Sequence, residues 1–310
     1  MIDVKGLTKQ YDSITAIDNL SFNINKGEII GFLGPNGAGK TTTMKLLTCF
    51  MPPTSGKATI NGLSITEDAF EIKRMIGYLP ENNPLYPDMT VLDYLKFISH
   101  IRKIEPSHQQ SQIKRVIDLC ELGQVLTKPI EECSKGFKQR VGLAQALMHK
   151  PEILILDEPT VGLDPNQIIE IRHLIKELGK ETTIVLCSHI LSEVSATCSR
   201  VFILKQGNII ANGSPKELQA TGSKEKNIFL SISAPKDILE KAINNHNITI
   251  TSIKEIGTNE ALTSYKITSN DDCRTQLFNI AVKEKWILNE LRIEETSLED
   301  IFIELTKEKS

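Results

Sequence analysis

Gly34-Pro35-Asn36-Gly37-Ala38-Gly39-Lys40-Thr41-Thr42 constrains this chain more than any other stretch. It fits the pattern G-x-x-x-x-G-K-[ST], in which each fixed residue has a physical role. The glycines let the backbone bend tightly enough to turn its N–H groups inward as an anion nest. Lys40 is placed to reach the β- and γ-phosphates of a nucleotide, and the Thr41 hydroxyl to ligate Mg²⁺. The flanks agree. Glu28-Ile29-Ile30-Gly31-Phe32-Leu33 is a short apolar run of strand type, and Thr41 to Thr48 is helix-compatible, with Met44, Leu46 and Leu47 apolar. A phosphate held there meets the positive end of a helix dipole. A Gly-rich turn that binds nothing is the competing reading, and it leaves the order strand, loop, helix unexplained.

The chain has 310 residues, enough for a substantial core and two domains. Its net charge is −3, so nothing draws it generally toward nucleic acid. No apolar run approaches the roughly 18 residues of a membrane span, and Met1-Ile2-Asp3-Val4-Lys5 lacks the form of a signal peptide. The six cysteines are scattered without metal spacing, which predicts reduced, buried thiols in a cytoplasmic protein.

Residues 1–220 alternate strand-like and helix-like segments, as an α/β domain with a mainly parallel sheet does. Ile153-Leu154-Ile155-Leu156 and Thr183-Ile184-Val185-Leu186-Cys187 are continuous apolar runs suited to strands buried on both faces. Between about 88 and 150 the pattern turns helical. Thr90-Val91-Leu92-Asp93 has capping-box form and opens a helix to about Ile104. Two more helices are predicted, from Gln109 to Leu122 and from Gly136 to His149. A polar linker over 221–227 then leads to an α+β domain, 228–310, with the order βαββαβ plus a final helix. That order predicts a small ferredoxin-like sandwich. In the final helix Leu298, Ile301, Phe302 and Leu305 form a stripe expected to pack on the domain's own sheet.

The buried run 153–156 ends in Asp157-Glu158. A carboxylate at the end of a strand beside a phosphate loop can bind Mg²⁺, and the next one can hold an attacking water. With these motifs in this order, the chain resembles the ATP-binding subunits of ABC transporters over residues 1–220. The further motifs that carry the resemblance are Tyr11 upstream of the loop, Glu81 in Gly77-Tyr78-Leu79-Pro80-Glu81, and Cys133-Ser134-Lys135-Gly136-Phe137-Lys138-Gln139-Arg140. Pro159-Thr160-Val161-Gly162-Leu163-Asp164-Pro165 and Ser188-His189 complete them. Ser-Lys-Gly followed by Lys-Gln-Arg is similar to bacterial exporter subunits of the ABC-2 type, including those associated with gliding motility.

The resemblance implies a P-loop NTPase core of ABC type with a helical subdomain, binding ATP with Mg²⁺. It implies that Tyr11 stacks on adenine, although ordinary strand packing would also explain an aromatic there. Thr41, Glu81 and Asp157 would hold the metal, Glu158 the attacking water, and His189 the γ-phosphate. His189 could instead be a satisfied core histidine. Ser134 and Gly136 would close the site across a dimer, identical or mixed. Asp164 would serve that interface or cap a helix before Pro165. Two positions depart from the family pattern: Glu81 stands where Gln is usual, and Lys135 where Gly is usual. Lys135 faces phosphate or solvent, and Lys138 and Arg140 are expected on a solvated helix face. A separate integral-membrane permease is implied as partner, docking near 81–102 with Leu85, Tyr86 and Pro87 as contacts unless those residues only pack their own loop. That places the chain peripherally on the cytoplasmic face of the inner membrane, with no nucleic-acid partner. The competing function is a soluble ABC-type ATPase not acting in transport.

Overall fold

The computed structural model describes residues 1–221, 226–259, 262–294, 299 and 301–303. Ile2–Tyr11 (β1) and Ile14–Ile24 (β2) open the chain, with Ile2, Val4, Ile17, Leu20 and Ile24 buried. Burial alternates along parts of both strands, the pattern of a sheet with one wet face. They pair antiparallel, Ile2 opposite Ile24 and Tyr11 opposite Ile14. Ile29–Leu33 (β3) follows and leads into Lys40–Leu47 (α1). Ser55–Ile60 (β4) and Leu63–Ser64 (β5) then return to the first sheet, whose order is β2-β1-β4-β5. This sheet is wholly antiparallel. The sequence reading, which anticipated one mainly parallel sheet, did not separate it.

The second sheet positions the site. Ala69–Met75 (α2) leads to Ile76–Leu79 (β6). Three helices follow, Val91–Ile101 (α3), Pro106–Leu119 (α4) and Lys135–Leu147 (α5). Thr90 caps α3, its hydroxyl accepting the Asp93 N–H. Helix α4 starts three residues before the expected Gln109, because Pro106 suits the first helical turn. Then come Ile153–Asp157 (β7), Pro165–Leu178 (α6), Thr183–Ser188 (β8), Leu191–Thr197 (α7), Arg200–Lys205 (β9), Asn208–Gly213 (β10) and Pro215–Thr221 (α8). The strand order is β10-β9-β3-β8-β7-β6, parallel throughout except for the edge pair β10-β9. Strands β7 and β8 are buried along their whole length, as their unbroken apolar runs require.

One expectation is overturned here. Arg140 is not on a solvated face: it is 8% exposed. Its guanidinium donates to the Cys120 carbonyl at 3.2 Å, to Glu121 at 2.8 Å and to Glu170. It thus joins α5 to the end of α4 and to α6. Lys138 is half-buried and donates to the Glu131 carbonyl at 2.9 Å. Residues 140–144 of helix α5 are all buried, so at Arg140 the helix is covered on more than one face and the side chain has no wet face to reach.

The chain divides into two compact units, Met1–Pro215 and Lys216–Ser310. Helix α8 occupies the start of the polar stretch expected as linker, and Lys226 and Asn227 already belong to the next strand; residues 222–225 lie outside the described residues. The second unit runs Lys226–Ile232 (β11), Lys236–Asn245 (α9), Ser252–Asn259 (β12), Leu262–Ser269 (β13), Arg274–Lys283 (α10) and Leu288–Glu294 (β14). Its sheet order is β12-β13-β11-β14, antiparallel at every pairing, which is the split βαββαβ arrangement. Ile228, Leu230, Leu239, Ile243, Tyr265 and Ile267 are among its own core residues. Of the expected apolar stripe, Ile301 is buried, while Leu298 and Leu305 lie outside the described residues. All six cysteines are buried and unbridged. Among the described residues no helix is long and apolar enough to cross a membrane.

Each unit has a separate core, so truncation after Ala220 should leave a cooperatively melting, nucleotide-binding protein. Calorimetry with and without nucleotide checks this. A folded truncation that binds no nucleotide would show that the second unit contributes to the site.

Candidate functional site

The parallel register brings the ends of three strands to one edge. Leu33 lies beside Ser188 and Ile203, and Asp157 beside Cys187. In sheets of this kind ligands sit outside the carboxyl ends of the strands. The loop Gly34–Thr42 leaves β3 at that edge. A methyl group on Gly34 would lie 2.7 Å from the Leu204 carbonyl oxygen. Gly39 has φ +103° and stands so close to the Ala16 carbonyl that a Cβ would meet it at 2.6 Å. The loop is fastened from outside by the β9–β10 turn, where the Gly207 N–H donates to the Ala38 carbonyl at 3.1 Å.

Lys40 begins α1 and is 6% exposed. Its ammonium donates to the Gly34 carbonyl at 2.7 Å and to the Pro35 carbonyl at 3.3 Å, and lies 3.8 Å from Glu158. Asp157 ends β7 and is fully buried, with neither carboxylate oxygen hydrogen-bonded. Burial pushes its carboxyl up to about 6; the Thr41 hydroxyl and Lys40 pull it back, and Glu158 and Glu81 add to the rise. A buried carboxylate with unused acceptors beside a hydroxyl is the donor set of a hard cation. Among the described residues no three acidic, His or Cys side chains gather as a closed metal site, so a cation here would need oxygens from its nucleotide.

Glu158 follows with φ +52°. That left-handed conformation turns its side chain away from the path of the strand. Its N–H donates to the Cys187 carbonyl at 2.9 Å. The Glu158 carboxylate accepts from Nδ1 of His189 at 2.9 Å, and the histidine side chain is 48% exposed. A cavity of about 680 Å³ is lined by Asn36, Gly37, Ala38, Gly39, Lys40, Thr41, Thr42, Glu81, Glu158 and His189. Ten residues of the expected site thus line a single space, with Asp157 fully buried at the end of β7.

Other expected site residues are elsewhere. Tyr11 does not line the cavity; its hydroxyl donates to the Met51 sulfur at 2.8 Å and Lys9 sits over its ring. Ser134 caps α5, accepting the Phe137 N–H, and Asp164 caps α6 in a reciprocal box with Gln167. Gly136 is buried against Gln167. None of the three lines the cavity. Lys135 is exposed, and its ammonium lies against Gly162 of the loop before α6. The cavity also uses residues the sequence did not single out: Ile14, Thr15, Ala16, Val161 and Gln206. The Gln206-Gly207 turn was readable as a tight turn beside a strand, but nothing in the sequence places it next to the phosphate loop.

The profile of the family described as ABC transporter matches residues 17–161. An uncharacterized ABC transporter ATP-binding protein of Bacillus subtilis, YcbN, is 34% identical over 98% of this chain and 96% of its own length. The linearmycin resistance ATP-binding protein LnrL of the same organism is 31% identical over 99% of this chain and 98% of its own. Among solved structures, the ATP-binding cassette MJ0796, a dimer in a post-hydrolysis state bound to ADP and Pi, is 26% identical with a TM-score of 0.64. The match covers 69% of this chain and 98% of that one.

Gly39→Ala should weaken nucleotide binding at least about tenfold, since its Cβ clash and positive φ together cost more than about 1–3 kcal/mol. Titration with a fluorescent nucleotide checks this, and near-native affinity would mean that the loop can relax around a side chain.

Proposed function

We propose, from the premise that this chain belongs to the ABC transporter family of ATP-hydrolysing proteins, that it is the motor subunit of a bacterial ABC-2 type exporter. The observation that carries the reading is the division of the site. Lys40, Glu81, Glu158 and His189 face one cavity, while Ser134 and Gly136 stand outside it. A second ATPase subunit, identical or a paralogue, would bring its own Ser134-type hydroxyl and Gly136-type backbone to the far side of the nucleotide. The full-length similarity to a linearmycin resistance ATP-binding protein supports the exporter class.

In this reading the backbone N–H groups of the loop and the start of α1 receive the phosphates. Lys40 exchanges its loop carbonyls for β- and γ-phosphate oxygens. Thr41 and Asp157 hold Mg²⁺, with Glu81 at the cavity wall as the third oxygen donor. Mg²⁺ when bound neutralises charge on the transferring phosphoryl group. Glu158 orients the attacking water and accepts its proton, and His189 fixes the Glu158 carboxylate through Nδ1 and turns its other nitrogen toward the γ-phosphate. Ile14, exposed at the cavity, supplies apolar surface for the base, with Tyr11 three residues upstream on the same hairpin. Asp164 holds the loop after Thr160 at the dimer seam by capping α6. ATP would close the two subunits and hydrolysis release them, driving a separate permease from the cytoplasmic face of the membrane. Tyr86, exposed and packed edge-on to Phe97 at 5.3 Å, is a preformed aromatic contact for that permease.

Glu158→Gln keeps the hydrogen bond to His189 within reach but removes the base. ATP turnover should fall roughly 10²–10⁴-fold with binding retained. Turnover within a few-fold of wild type, measured as phosphate release, would take Glu158 out of this role.

Ser134→Arg should stop turnover while the same subunit still binds ATP. Mixed with Lys40→Ala subunits, it should regain activity through the one intact composite site. Full activity of the Ser134→Arg protein alone, or activity independent of protein concentration down to the monomer, would refute a shared site.

A further inference from the structure

Two short loops carry the groups assigned to the hydrolytic step, and a third residue holds them together. Glu193 lies in the first turn of α7 and is 1% exposed. One of its carboxylate oxygens accepts from the Thr160 hydroxyl and the other from the Ser188 hydroxyl at 3.0 Å. Both hydroxyl residues are buried. The Ser188 oxygen also accepts the Ile190 N–H at 3.0 Å, so the residues on both sides of His189 are tied to one point. Thr160 is two residues beyond Glu158. The near side of that loop is already held to β8 by the bond from the Glu158 N–H to the Cys187 carbonyl.

The direct contact between Glu158 and His189 is a weak spacer by itself, because the imidazole is half exposed and water competes for it. The bonds to Glu193 are in the dry interior, where nothing competes with them. Among the described residues no ion pair reaches Glu193. A leucine or methionine would fill its place without the desolvation that a carboxylate must offset with these two hydroxyls. Stability therefore does not explain the charge, whereas fixing two loops by one bidentate acceptor does.

We propose that Glu193 is a positioning residue for ATP hydrolysis, a buried clamp that sets the spacing of Glu158 and His189 through Thr160 and Ser188. The inference rests on the ATPase reading above. It places no contact between Glu193 and the nucleotide, so the clamp affects the chemical step and leaves binding alone.

The test uses the full chain with ATP, Mg²⁺ and the reconstituted permease if turnover needs it. Wild-type turnover is read first. Its absence under all these conditions would overturn the ATPase premise itself, a result distinct from any failure of the clamp. Glu193→Ala should lower kcat about 10²-fold, the cost of a displacement on the order of 1 Å at a reacting centre. The affinity for ATP should stay within about threefold. Glu193→Gln, which keeps the shape and one strong acceptor, should fall between wild type and Ala. In a His189→Ala background the same Glu193→Ala change should cost less than about threefold further, because the residues act as one unit. Equal losses in both backgrounds would overturn the proposal, as would unchanged kcat or a parallel loss of ATP affinity. If Glu193→Ala does not fold, Thr160→Val removes one of the two hydroxyls at nearly constant volume and is judged by the same criteria.

Discussion

The parallel pairing of β3 with β8, and of β8 with β7, is the constraint on which everything else depends. It delivers Gly34, Glu158 and Ser188 to one edge of the sheet within a register fixed by hydrogen bonds. A one-residue slip in β7 would turn Asp157 to the opposite face and take its buried carboxylate out of the site. The complete burial of both faces of β7 and β8 makes such a slip expensive. The core therefore stabilises the fold and fixes the aim of the site through the same contacts.

At that edge the fold gathers charge in a place where charge is costly. Lys40, Asp157 and Glu158 are all nearly buried. Lys40 and Glu158 stand 3.8 Å apart, Lys40 donating also to the Gly34 and Pro35 carbonyls and Glu158 accepting from His189. Asp157 has no hydrogen-bond partner and its carboxyl is pushed up to about 6. Such an arrangement suits a ligand that supplies a partner for the one carboxylate that has none. Behind it, both carboxylate oxygens of buried Glu193 are hydrogen-bonded. An unpartnered carboxylate in front thus stands beside a hydrogen-bonded support.

Around this centre polar links tie the helical segment to its neighbours. Among the described residues His149 reaches the Ile76 carbonyl of β6 at 3.1 Å, and Arg140 reaches both Glu121 beyond α4 and Glu170 on α6. Ser134 caps α5, so the Arg140 side chain connects the helix whose capped end lies outside the cavity with the helix that follows the Asp164 loop. The two elements assigned to the dimer seam are thus tied to each other by an ion pair.

Much of this was legible in the sequence, for physical reasons. The phosphate loop is local: its glycines, Lys40 and Thr41 act within nine residues, so pattern and function coincide. The buried strands announced themselves as unbroken apolar runs, and Thr90 announced its helix by its own cap. The second unit's βαββαβ order could be read because strand-like and helix-like stretches follow one another in that order along the chain. What the sequence could not hold is adjacency between distant segments. The antiparallel first sheet, the β9–β10 turn clasping Ala38, and Ile14 at the cavity in place of Tyr11 all depend on pairings across tens of residues. Arg140 read as a surface residue because helical periodicity describes one face, whereas α5 is covered on several. Glu193 was invisible for the same reason: an acidic residue in a short helix is ordinary until the fold buries it between two hydroxyls from different loops. Local chemistry was determined by the chain itself. Which groups meet, and which charges lose their water, was decided only when long-range strand pairing closed the core over them.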